Sequence, residues 1–237
     1  MAVAPQPFPG FTPDAIQFLT DLASNNDRAW FAPRKGEYER LLKEPLEALC
    51  TALSERFAAH GLPLVADPKR SPFRIYRDTR FSKDKSPYKT NVGASFPWVE
   101  TAGGAGEPLD AGAHANGGYF HFQPGEMYAG GGMWRAEKPR LDALRRAIVE
   151  TPDLVRDAVE EPGFVAWFGG VETHESFKRI PPGYPQDHPL ADMFRWKDLV
   201  FGRRLSDAEV CSPDLADLLV DGWTAALPVF RFLATLR

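Results

Sequence analysis

Gly118-Tyr119-Phe120-His121-Phe122-Gln123-Pro124-Gly125-Glu126-Met127-Tyr128 is the stretch that decides the fold class. On an extended strand Phe120 and Phe122 fall on one side and His121 projects to the other, towards solvent or a pocket. Pro124-Gly125 supplies turn chemistry, and Glu126-Met127-Tyr128 starts a return strand. The stretch therefore predicts an antiparallel hairpin. The run Gly130-Gly131-Gly132 just beyond it predicts a bulge or a close approach of another backbone.

Working outward, Phe73 to Tyr76, Asn91 to Phe96 and Leu199 to Leu205 read as further short strands, with the hairpin spanning Gly118 to Gln123 and Glu126 to Met133. Both flanks are helical. From Thr12, Ile16, Leu19, Leu22 and Ala23 keep helical spacing until Asn25-Asn26, which read as a helix stop and a following N-cap, and a short turn carries Trp30 and Phe31. Leu42, Leu46, Leu49, Leu53 and Phe57 form one stripe of a longer helix from Pro45 to His60, stopped by Gly61. Helical period returns at Leu141, Leu144 and Ile148, from Pro152 to Val159, near His188-Pro189 through Lys197, and from Pro213 to Leu236 with a break at Pro228. Strands grouped between helical blocks, without βαβ alternation, predict an α+β fold: a mainly antiparallel central sheet flanked by N-terminal and C-terminal helices. No repeat is visible, and one domain is expected over 1–237. Eleven of the eighteen residues from Thr101 to Gly118 are Gly or Ala, which predicts a mobile surface loop at about 101–117.

Composition narrows the partners. Charged residues make up 25% of 237 and the net charge is −4, so no global attraction to nucleic acid or to acidic membranes is expected. Several of the 22 prolines mark helix starts, at Thr12-Pro13, Glu44-Pro45, Thr151-Pro152 and Ser212-Pro213. No apolar run is long enough to span a bilayer. Met1 to Gly10 does not read as a signal peptide. Cys50 and Cys211, the two cysteines, have no metal or redox spacing and suit a reducing cytoplasm. No metal site and no cofactor is expected: the five histidines lack ligand spacing, and Glu172, His174 and Glu175 read as a solvated face.

Charge is nevertheless concentrated. Lys69 to Lys89 holds eight basic residues and two acids, net +6, which leaves −10 for the remainder. Its centre is Arg77-Asp78-Thr79-Arg80-Phe81-Ser82-Lys83-Asp84-Lys85-Ser86-Pro87-Tyr88-Lys89. Guanidinium forks, ammonium groups and hydroxyls in a turn suit an anion. The anion-binding residues expected here are Arg77, Arg80, Lys83, Lys85, Tyr88 and Lys89, with Asp78 or Asp84 as the available general base.

That thirteen-residue stretch resembles the signature of a mostly bacterial family known as domain of unknown function 2461. The resemblance extends to Phe11-Thr12-Pro13, Asn25-Asn26 with Trp30-Phe31, Gly118-Tyr119-Phe120, Gly130-Gly131-Gly132-Met133, Lys178-Arg179-Ile180-Pro181-Pro182-Gly183-Tyr184, His188-Pro189 and Lys197. It implies a single-domain intracellular α+β protein and brings no activity, substrate or cofactor. The Gly/Ala-rich stretch departs from the shorter connection expected there. The resemblance also groups Lys178, Arg179, His188 and Lys197, which would extend a cationic pocket if they fold back towards the basic stretch.

Three readings follow. The first is a site for a phosphorylated or other anionic small molecule, with or without catalysis. The second is a binding module for single-stranded nucleic acid or an acidic partner, with Phe81 and Tyr88 as stacking platforms, and it is less favoured because the remaining chain is acidic. In the third, Arg77 and Arg80 pair with buried carboxylates such as Asp78 and tie the sheet to the helices.

Overall fold

The computed structural model describes residues 8–80, 82–99 and 116–236. Four strands, β1 (Val92–Pro97), β2 (Gly117–Phe122), β3 (Tyr128–Met133) and β4 (Leu199–Arg204), pair antiparallel in sequence order. The fold is α+β. The expected hairpin joins β2 to β3: Glu126 N donates to Gln123 O at 2.9 Å, and Gly125 takes φ +76° after Pro124. That is the residue order of a type II turn, with Pro second and a left-handed Gly third. Alternation decides what each side of β2 packs against. Phe120 and Phe122 are fully buried, whereas Tyr119 and His121 are only partly so.

The described residues divide into two compact units. One comprises those of Met1–Phe96, Tyr119–Ala129 and Arg204–Val220; the other those of Pro97–Gly118, Gly130–Arg203 and Asp221–Arg237. In the first unit, α1 (Pro13–Ser24) follows Thr12 in extended backbone, with Pro13 where no N–H is needed and Asp14 in the first turn. Its buried stripe is Ala15, Phe18, Leu19 and Leu22. Of the residues expected on that stripe, Ile16 is only partly buried and Ala23 is exposed. One-turn helices α2 (Arg28–Phe31) and α3 (Lys35–Tyr38) lead through a π turn into α4 (Glu44–His60), which Gly61 ends at φ +62°. Leu42, Leu46, Leu49, Leu53 and Phe57 are all buried, as the stripe predicted. Each such side chain contributes about 1.5–3 kcal/mol relative to exposure. α8 (Asp207–Val210), not foreseen, is set by a reciprocal capping box between Ser206 and Glu209.

The second unit holds α5 (Lys138–Glu150), α6 (Pro152–Val159), α7 (Pro162–Phe168), α10 (Leu227–Thr235) and the C-terminal part of α9 (Leu215–Ala225), from Asp221 on. The last two part at Ala226, one residue before the Leu227-Pro228 start of the next helix. Phe164, Phe201, Phe230 and Trp223 are buried there, and the Phe201 ring lies 5.2 Å from Phe164 and 5.4 Å from Phe230. The triple glycine is a close approach of backbones. A Cβ on Gly130 would stand 2.2 Å from Phe201 O, and one on Gly131 2.5 Å from Gly117 O.

Two expected elements differ. Phe73 to Tyr76 is no strand. Ser71 and Phe73 bond to β1, after which the chain changes partner and Ile75 and Arg77 bond to Lys89 and Pro87, so neither ladder grows beyond one bridge. The helix expected from His188-Pro189 is a short 3₁₀ turn, Ala191–Arg195. It ends because Trp196 turns extended and bridges Ser176. Most of the Gly/Ala-rich loop lies outside the described residues. Among the described residues no single helix is long and apolar enough to cross a membrane.

Candidate functional site

The basic signature is a hairpin of its own within the first unit. Tyr76 and Tyr88 form an antiparallel bridge, with Arg77 N to Pro87 O at 3.0 Å and Lys89 N to Ile75 O at 2.7 Å. Its loop is laced by its own charges. Arg80 grips Asp78 through two bonds, Nε to Oδ1 at 3.0 Å and Nη2 to Oδ2 at 2.7 Å. Arg77 donates to Asp84, which also accepts from the Ser86 backbone N–H at 2.9 Å and its hydroxyl at 2.6 Å. Lys85 Nζ donates to Thr79 O at 2.8 Å. Lys83 is exposed and has no ion pair among the described residues. Lys89 lies 5.3 Å from the Phe73 ring, and burial together with Arg74 lowers its pKa. Phe81 lies outside the described residues.

Asn26 fixes where this hairpin sits in the unit. Its Nδ2 donates to Tyr88 O at 3.0 Å and its Oδ1 accepts from Tyr88 N at 3.1 Å. The side chain thus mimics a strand partner. Asn26 is therefore no N-cap: Asp27 caps α2 by accepting from Trp30 N at 2.8 Å, and Asn25 ends α1. The Tyr88 ring is buried and stacks on Phe31, centroids 4.0 Å apart.

Between the hairpin and the start of α2 lies a cleft of about 810 Å³. Arg77, Lys85 and Tyr88 line it, joined by Arg28, Tyr76, Thr79 and Ser86. Three cations face it against one acid, Asp27, whose carboxylate is already committed to the α2 cap. Tyr76 is 51% exposed, an open phenol ring beside those charges. Asp78, Arg80, Lys83, Asp84 and Lys89 are not among the lining residues.

The two carboxylates are poor bases. Arg80, through its side-chain bonds and then its backbone N–H, lowers the Asp78 pKa to about 2. The Ser86 hydroxyl and N–H, and then Arg77, lower that of Asp84 to about 2. Both acids are exposed, so the hairpin pairs are not the buried ties of the third reading. Arg80→Ala is accordingly expected to move Tm by less than about 2 °C, because exposed pairs contribute little. Differential scanning calorimetry checks this. A drop of several times that size would show a structural tie.

A second group of titratable side chains shares the partly buried side of β2 and β3. Tyr119 Oη and His121 Nδ1 share a hydrogen bond of 2.9 Å, and the His121 ring stacks on Tyr128 at 4.8 Å. Burial pushes the Tyr119 and Tyr128 pKa values up and lowers that of His121, with Glu126 opposing the histidine shift. Above about pH 6.5 the imidazole is neutral in both folded and unfolded chains. Below it the unfolded chain binds the proton first, so stability falls with acidification until the folded pKa is passed. His121→Phe should flatten Tm against pH between about pH 7 and 5. An unchanged slope would mean that another group carries it.

The C-terminal candidates belong to the second unit. Lys178 and Arg179 are exposed. His188 Nδ1 accepts from Leu190 N at 3.0 Å, shaping the entry to the 3₁₀ turn. Lys197 pairs with Glu175 at 3.2 Å. Sequence reasoning missed Arg28, Tyr76 and the clamp by Asn26. Only Asn25-Asn26 in the family signature pointed there, and a carboxamide that replaces a strand partner has no sequence mark.

The chain matches, over residues 14–232, a family described as conserved hypothetical protein (DUF2461). No curated protein and no solved structure matches it.

Proposed function

The chain belongs to the DUF2461 family, whose description names no reaction, and from the geometry of the cleft we propose that it binds a phosphorylated or otherwise anionic small molecule. The observation that carries this reading is the lining: Arg28, Arg77 and Lys85 outnumber the one acid, Asp27, whose Oδ1 caps α2. Guanidinium N–H groups supply paired donors to phosphate or carboxylate oxygens, Lys85 a point charge, and Thr79 and Ser86 hydroxyls further donors. An entering anion competes with Asp84 for Arg77. The Tyr76 ring offers a face to a planar or sugar portion of the ligand. A single-stranded nucleic acid is the second reading, favoured by that same open ring beside cations.

The test is a thermal-shift panel of inorganic phosphate, sugar phosphates, nucleotides and short single-stranded oligonucleotides at two salt concentrations. A ligand at a hundred times its Kd stabilises the folded chain by about 2.7 kcal/mol. Arg77→Gln should weaken that ligand about tenfold or more, since a charged hydrogen bond contributes about 1.5–3 kcal/mol. A small phosphate ester that works at both salts supports the first reading. An oligonucleotide shift that collapses with salt supports the second. No shift from any of them overturns both.

A further inference from the structure

Outside the cleft, the second unit contains a buried cation whose hydrogen bonding is incomplete. Arg145, on α5, is 6% exposed. Its Nε donates to Phe194 O at 3.0 Å and its Nη1 to Asp142 Oδ1 at 3.2 Å. Nη2 is shut off from solvent and has no hydrogen-bond partner among the described residues. A buried charged donor left without an acceptor bears its full desolvation penalty, so the group calls for an acceptor, an ordered water or a bound anion.

The surroundings indicate what that acceptor is. The Phe177 ring lies 5.5 Å from the Arg145 guanidinium carbon, and Lys197 Nζ lies 5.2 Å from the same ring. Both cations thus lie against the Phe177 ring. The nearby carboxylates are committed: Asp142 also accepts from Lys138 at 2.6 Å, and Glu175 holds Lys197. Asp198, fully buried, is taken up by the Thr173 hydroxyl at 2.5 Å and His174 N at 2.9 Å. Phe177 itself is 42% exposed, and its backbone is pinned by a bond from its N–H to Arg195 O at 2.7 Å. Lys178 and Arg179 follow it, exposed, and add local positive potential.

We propose that Arg145, Phe177 and Lys197 form a second anion site that takes a carboxylate or phosphate group of a small ligand. Arg145 Nη2 is the inner donor, Lys197 the outer charge, and Phe177 the cover. The site is independent of the cleft in the first unit, and the two are separable by mutation.

The experiment is titration calorimetry of the full chain with inorganic phosphate and, separately, succinate. Wild type, Arg77→Gln, Arg145→Lys and Lys197→Gln are compared, each checked for folding by circular dichroism. The expected result is a binding event that survives Arg77→Gln, weakens about tenfold in Arg145→Lys and about threefold in Lys197→Gln. Stronger binding of phosphate or of succinate identifies which anion the site takes. If Arg145→Lys fails to fold, Lys197→Gln, altered at the rim, decides alone. Wild-type binding in the folded variants overturns the proposal. So does an ordered water on Nη2, with no anion, in crystals grown at high phosphate. Loss of all binding in Arg77→Gln assigns the anion to the cleft and equally overturns it.

Discussion

Trp223→Ala lowers unfolding free energy by about 4 kcal/mol, the middle of the range for removing a buried Trp or Phe. Trp223, on α9, is fully buried. Its Nε1 donates to Gly130 O at 2.9 Å, so the indole satisfies a strand carbonyl as well as filling space. Gly118 leaves room for it: a Cβ there would stand 2.8 Å from the indole Cε2. Backbone and ring are thus packed to contact, and the cavity left by alanine cannot collapse without moving β2 or β3. Trp223→Phe keeps much of the volume and loses the bond, which predicts about 1–2 kcal/mol. Urea unfolding with an unchanged m value measures both. A loss under about 1.5 kcal/mol for alanine would contradict this packing.

Gly132→Ala is expected to cost about as much by the opposite route. The new Cβ would stand 2.3 Å from Leu199 O and 2.8 Å from Val200 Cα, both backbone atoms of β4 that no rotamer change can move. The residue also sits at φ +114°, a backbone region that L side chains rarely adopt. Overpacking of about 1–3 kcal/mol and backbone strain of about 1–3 kcal/mol add at one position. Gly125→Ala is the control. It too has positive φ, but nothing lies within 4 Å, so only the turn penalty of about 1–2 kcal/mol remains. Equal losses at 125 and 132 would show that strand contact contributes nothing.

Legibility in the sequence followed the range of the interactions. The hairpin at Pro124-Gly125, the α4 stripe and the triple-glycine approach were readable because period, turn residues and the absence of side chains act locally. The Phe73 to Tyr76 segment was misread because its composition suits a strand while its partner changes midway, a fact held by Gly93 and Lys89. The helix expected after His188 was misread because Trp196 is drawn out by Ser176, twenty residues earlier. In the site, the cations of the hairpin were visible as charge. The pairing of Arg80 with Asp78, two residues away, was legible too, whereas that of Arg77 with Asp84 and the exposure of both acids depended on loop geometry. Arg28 lines the same cleft as the hairpin that Asn26 clamps at Tyr88, a contact that spacing does not encode.

The account rests on an anion occupying the cleft between α2 and the signature hairpin. The most direct measurement is backbone amide chemical-shift mapping of the full chain during titration with the best phosphate ester from the panel. The predicted result is saturable shifts at residues 26–28, 76–79 and 85–88 that follow one binding curve and disappear in Arg77→Gln. Saturable binding that leaves those amides unmoved would contradict it.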